Sequence, residues 1–245
     1  KIGIAGEHLM PFYLRDIFTK AMPDVQFPIV TKIIDDMRKI KSKKEIELME
    51  KAANINDKVL TELKDIIKVG MTEQQVVAHA DFLGRQLGAD LGSATVVMAG
   101  KNTKFPAWRA TNKKLEKGEL LMVDFNPAIG NYCNDGGITF LMPGASKFKT
   151  EALINSHKIL KKTINSIRSQ TKAASVHDSF YESLKPLKLD SNFSPYVTGT
   201  RGTGHGVGLD VVEQPDLNKF SDFILYPRMT LAIKLDLHEL EEQGL

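Results

Sequence analysis

The sequence has one cysteine, Cys133, so no internal disulfide can form, and a reducing cytoplasmic setting is the expectation. No uninterrupted apolar run approaches the roughly 18 residues that a membrane helix needs, and no charged-apolar-small secretory pattern opens the chain. A membrane partner is therefore not expected. The charge is nearly balanced, 33 Lys and Arg against 30 Asp and Glu, and the net +3 is spread along the chain rather than gathered into a basic stripe interleaved with aromatics. That excludes the electrostatic footprint of a nucleic-acid binder. The glycines at 202, 204, 206 and 208 match neither the dinucleotide nor the phosphate-loop spacing, and no Gly-x-Ser-x-Gly elbow occurs. What remains, at 42% apolar and 26% charged, is an ordinary globular chain with a peptide or small molecule as the expected ligand.

Residues 1–35 read as a strand at Ile2–Ala5, a helix near Pro11–Ala21 and an apolar segment, Val25–Ile34, broken by Pro28. This is too little to bury a core of its own. Ser42 with Glu45, and Thr72 with Gln75, are capping boxes that open helices ending near Gly70 and near Gly84 or Gly88. Strand-like runs follow at Ala94–Ala99, Leu120–Asp124 and Ile138–Met142. The order then repeats: a helix over about 150–169, another opened by Ser175 with Asp178 to about 186, and strands at Tyr196–Thr200, Gly208–Val212 and Met229–Leu235. Two helices followed by strands, twice over, predict a duplicated α+β unit whose strands join in one antiparallel sheet.

Two stretches carry chemistry. In Leu120–Asp135 an apolar strand ends at Asp124, a turn with Asn126, Pro127 and Gly130 reverses the chain, and Asp135 opens the return. Carboxylates facing each other across such a hairpin can share a hard cation, although two aspartates flanking a turn often only serve the turn. In Thr198–Pro215, His205 lies between glycines, where the backbone can approach a neighbour closely and the imidazole can project as a ligand or base.

The order Ile-Lys-Ser-Lys-Lys-Glu-Ile-Glu (40–47), Gly-Met-Thr-Glu (70–73), Lys-Gly-Glu-Leu-Leu-Met-Val-Asp (117–124), Asn-Tyr-Cys-Asn-Asp (131–135) and Gly-His-Gly-Val-Gly-Leu-Asp-Val (204–211) resembles the Xaa-Pro dipeptidase and aminopeptidase branch of the pita-bread metallopeptidases. The resemblance covers about residues 36–245 and implies a pita-bread fold. It makes residues 1–35 the tail of an N-terminal domain, and it implies that the C-terminal end of the domain is incomplete at Leu245. It further implies a pair of divalent metals held by two aspartates, a histidine and two glutamates, with Asp124, Asp135 and His205 at three of those places. Homodimers are among the assemblies it allows.

The sequence departs from that pattern at several points. Lys234 stands where a ligand glutamate is expected, the second glutamate would follow Leu245, and Ala107 and Val212 stand where substrate-side histidines are expected. Exchanging a carboxylate for an ammonium removes a ligand and changes the local charge by two units, which disfavours a two-metal site. The expectation is that the Lys234 ammonium sits between Asp124 and Asp135 as an internal counter-ion, the alternative being that it snorkels to solvent. Trp108, Arg109 and Val212 are candidate pocket walls, and His205 or Glu213 a candidate base. Three functions follow: a homologue with impaired, altered or no peptidase activity; an active Xaa-Pro peptidase with one divalent metal (Mn, Co or Zn); and a metal-free hydrolase of the creatinase kind.

Overall fold

The computed structural model describes residues 1–104, 109–193, 203–237 and 240–241. Two short stretches open it. Helix α1 spans Phe12–Ala21 and α2 spans Thr31–Lys39, and before α1 the expected strand reduces to one parallel bridge, Ile4 to Ile29. Helix α2 runs across the boundary expected at residue 35.

The first half of the main body consists of α3 (Lys43–Ile66), α4 (Glu73–Gln86) and six strands: β1 (Asp90–Leu91), β2 (Val96–Ala99), β3 (Leu120–Phe125), β4 (Pro127–Ile129), β5 (Tyr132–Cys133) and β6 (Gly136–Leu141). Both helices start on reciprocal capping boxes, Ser42 with Glu45 and Thr72 with Gln75, each satisfying two backbone N–H groups that have no partner inside the helix. The second half consists of α5 (Lys147–Ser166), α6 (Ala173–Leu184), β7 (Gly204–Gly206), β8 (Glu213–Asp216) and β9 (Leu231–Ile233).

Three expectations need correction. Ser175 does not cap α6: the helix starts after Lys172 without a side-chain cap, and the Ser175 hydroxyl donates to the Lys172 carbonyl from inside the first turn. Residues 208–212 form no strand but a turn, in which Gly208 N–H donates to the Asp210 carbonyl and Asp210 N–H to Glu213 Oε1, so pairing begins at Glu213. Instead of one continuous sheet, the described strands form three antiparallel ladders, ordered β1-β4-β5, β2-β3-β6 and β8-β7-β9. The expected strand at 196–200 lies outside the described residues.

The duplication is explicit in the backbone. Gly70 N–H and Leu115 N–H donate to Leu115 and Met71, and a hundred residues on Gln170 N–H and Leu225 N–H donate to Leu225 and Thr171. Gly70 and Gln170 both adopt a left-handed backbone, at φ 92° and 68°. Each half has its own core. Val59, Leu63, Val76 and Ala80 pack on Val97, Leu121, Val123 and Phe125, while Ile159, Val176, Phe180 and Leu184 pack with Leu217, Leu235 and Leu237. Strand β3 faces both. Leu121, Val123 and Phe125 belong to the first core and Leu120 to the second, so the two-residue period turns Asp124 away from the first core, toward the second half.

Glu73, fully buried at the start of α4, accepts from Ala99 N (2.7 Å), Asn102 Nδ2 (2.9 Å), Thr111 N (2.8 Å) and Thr111 Oγ1 (2.7 Å). It thereby ties the end of β2 to the middle of the segment that leads on to β3. Glu73→Ala leaves buried donors unsatisfied and is expected to lower unfolding free energy by about 3 kcal/mol in urea titrations.

Candidate functional site

Asp124 and Asp135 sit on the two arms of the β3–β6 hairpin. Asp124 pairs with Gly137, and Asp135 lies just beyond the last rung, Phe125 to Gly136. From the second half, β7 carries His205 between β8 and β9. The squeeze works because its flanking residues are glycines. A Cβ at Gly204 would lie 2.1 Å from the Ala232 carbonyl oxygen and one at Gly206 2.3 Å from that of Gln214. Lys234 follows β9, its N–H donating to the Thr203 carbonyl at 2.8 Å.

The structure brings these four side chains together. Lys234 Nζ is 2.9 Å from Asp135 Oδ1 and 3.9 Å from Asp124 Oδ2, and His205 Nε2 is 3.1 Å from Asp135 Oδ2. His205 Nδ1 donates to the Gly206 carbonyl at 2.9 Å. The side chains of Asp135 and His205 are buried, whereas Asp124 and Lys234 keep 24% and 32% of theirs exposed, so the cluster opens to solvent on one side. Burial raises the Asp124 carboxyl above its ordinary value, against the pull of Lys234. Burial pushes Asp135 the same way, but contact with His205 and the Lys234 charge outweigh it and hold Asp135 below the ordinary value. Burial lowers Lys234, yet Asp124 and Asp135 prevail and raise it, so Lys234 stays an ammonium at neutral pH.

The remaining candidates lie elsewhere or are already engaged. Glu213 is buried against two cations, with Lys41 Nζ 2.9 Å from Oε2 and Arg38 on Oε1, and Arg38 also reaches Asp210 at 2.7 Å. Both carboxylate oxygens of Glu213 are thus engaged by cations. Val212 is half-buried beside it and Arg109 is exposed, while Ala107 and Trp108 lie outside the described residues. Arg38 and the fully buried Lys41 escaped the sequence reading because their partners are more than 170 residues away.

The family model of metallopeptidase family M24 matches residues 47–245. The chain belongs to that family. It is similar to the Xaa-Pro dipeptidases of Pyrococcus furiosus, 25% identical over 95% of this chain, and Pyrococcus horikoshii, 27% over 93%. It spans just under two-thirds of their length, 65% and 64%. Among solved structures the prolidase from Pyrococcus horikoshii superposes with a TM-score of 0.90 at 25% identity, covering 99% of this chain and 68% of that one. The X-Pro aminopeptidase from Thermotoga maritima superposes at 0.89 and 22% identity, covering 100% of this chain and 67% of that one, a likeness of fold. The M24 chain thus has the α+β pita-bread fold. No helix among the described residues is long and apolar enough to cross a membrane.

M24 peptidases are metal-dependent, which raises the question whether these side chains suit a divalent ion. Asp124 Oδ1 is buried without a hydrogen-bond partner, as an oxygen kept for a cation would be. Against that, no group of three or more His, Cys, Asp or Glu among the described residues is arranged to hold a metal, and an ammonium lies between the two aspartates. As they stand, these side chains do not fit a divalent ion.

Cys133, on the strand before Asp135, is buried, and burial pushes its thiol up to about 11. At pH 8 such a thiol is thiolate in roughly one molecule in a thousand, and the thiolate is the reactive form. Ellman's reagent should therefore label native protein far more slowly than urea-unfolded protein at pH 8.

Proposed function

We propose that this M24 chain is a divergent relative of the Xaa-Pro peptidases that binds a peptide or a small molecule of similar chemistry at the junction of its two halves, with impaired, altered or no hydrolysis. The observation that carries this reading is the Lys234 ammonium at 2.9 Å from Asp135 and 3.9 Å from Asp124. Two unit charges about 4 Å apart interact by about 4 kcal/mol at an effective dielectric constant of 20, so an ammonium attracted this strongly opposes a divalent ion entering the same place. Lys234 supplies charge neutralisation but neither a Lewis acid nor a bound hydroxide, the two things metal-assisted peptide hydrolysis requires. The names of the relatives support an Xaa-Pro dipeptide as the first ligand to try. The same reading places the protein in the cytoplasm, away from nucleic acid and membranes, and allows a homodimer.

A second reading, a peptidase with one divalent metal (Mn, Co or Zn), draws on His205. Nδ1 is engaged by the Gly206 carbonyl, so Nε2, 3.1 Å from Asp135, is the ring nitrogen left to a metal, and Asp124 Oδ1 is buried in the same cluster. A single cation displacing Lys234 would satisfy both.

Elemental analysis and an Xaa-Pro dipeptide assay with added Mn²⁺ separate the two. The expectation is well under one divalent ion per chain, saturable dipeptide binding by calorimetry and no turnover. Turnover that Asp135→Ala abolishes would overturn the proposal in favour of the one-metal peptidase. Lys234→Glu, which exchanges the resident cation for a ligand, is expected to bind Mn²⁺ at least ten-fold tighter than wild type, read as the metal-induced rise in melting temperature.

A further inference from the structure

Asn56, buried in the middle of α3, points its amide nitrogen at the hairpin that carries the two aspartates. Nδ2 donates to the carbonyls of Phe125 at 2.6 Å and Gly136 at 2.9 Å, and it also reaches Asn134 Oδ1. These three acceptors are not scattered. Phe125 follows Asp124 directly, Asn134 and Gly136 flank Asp135, and Phe125 and Gly136 form the last rung of the β3–β6 ladder. An amide has two N–H groups, so three acceptors on one nitrogen hold it by a shared bond, while Asn56 Oδ1 stays buried without a partner. An amide that merely filled a polar niche would use its oxygen as well. This one spends its donors on the two arms of a single hairpin. Residue 136 has to be glycine for the amide to enter, because a Cβ there would lie 2.8 Å from Nδ2. Past this rung the same two arms continue as β4 and β5, which pair at Ala128–Cys133 and Ile129–Tyr132 and are joined by Asn134 N–H to the Pro127 carbonyl at 2.9 Å. Between the two ladders Asn126 Oδ1 accepts from Gly136 N–H at 3.3 Å, so the Asn56 amide sits where one ladder gives way to the next.

We infer that Asn56 is a positioning residue: its amide clamps both arms of the hairpin at the rung beside the acids and so sets the separation of Asp124 and Asp135 that seats the Lys234 ammonium. The inference rests on the reading of Lys234 as the resident cation, and concerns what fixes the seat rather than what the protein binds or hydrolyses.

The test reads the ammonium itself. In protein labelled with ¹⁵N-lysine and held at low temperature and mildly acidic pH, an ammonium fixed by ion pairs exchanges its protons slowly enough to give an NMR cross-peak, which Lys234→Met assigns by its disappearance. Asn56→Ala is expected to abolish that peak. Val59→Ala, which truncates a fully buried core side chain one turn along the same helix, is expected to lower the melting temperature and keep the peak. Gly136→Ala covers the case in which Asn56→Ala fails to fold: its added methyl pushes the amide off the hairpin without removing it, and should abolish the peak too. A peak that survives in folded Asn56→Ala or Gly136→Ala, or one that Val59→Ala also destroys, overturns the inference while leaving the proposed function standing. Absence of any protected ammonium peak in wild type overturns the lysine-filled site, and the positioning role with it.

Discussion

Two carboxylates brought within reach of one positive charge, one of them almost wholly out of solvent, cannot both stay ionised unless that charge is held in place. Much of the local architecture answers to this constraint. The β3–β6 ladder puts Asp124 and Asp135 on neighbouring arms, glycines on either side of His205 let β7 slip between two strands, and Lys234 leaves β9 at the height of the acids. The opposite displacements of the two acids follow from their neighbours: Asp135 gains an imidazole and the nearer ammonium contact, while Asp124 is buried with a more distant one.

The acids and the base come from different halves of a duplicated frame. Asp124 and Asp135 belong to the first helix-helix-strand unit and His205 and Lys234 to the second, and each unit has its own apolar core. Alternation along β3 connects them, because the strand gives its odd-numbered residues to one core and turns Leu120 and Asp124 toward the other. This arrangement keeps Lys234 apart from the packing of the half that holds the aspartates.

What could be read from the sequence was mostly local. The boxes at Ser42 and Thr72 are spelled out within four residues, and the β3 hairpin by a short apolar run and its turn, so both were legible. The box at Ser175 failed because a serine three residues before an aspartate also occurs inside a first turn, where its hydroxyl bonds backward. The strand expected at 208–212 failed because Gly208 and Asp210 close a turn there, while the pairing residues Glu213–Asp216 include Pro215 and two carboxylates, against strand propensity. Motif order pointed to Asp124, Asp135, His205 and Lys234 as a group. Asn56, Arg38 and Lys41 could not be found that way, since nothing near them in the chain names the partners they meet in the fold.

The buried junction of Lys41 and Arg38 with Glu213 has a mechanical meaning. Lys41 occupies the short link between α2 and α3, its N–H held by the Arg228 carbonyl, and Glu213 begins the strand paired with the one that carries His205. Parting the link before α3 from the ladder that holds His205 would thus strand a buried ammonium and a buried carboxylate without partners, which ties the amino-terminal stretch to the second half at a high electrostatic cost of separation.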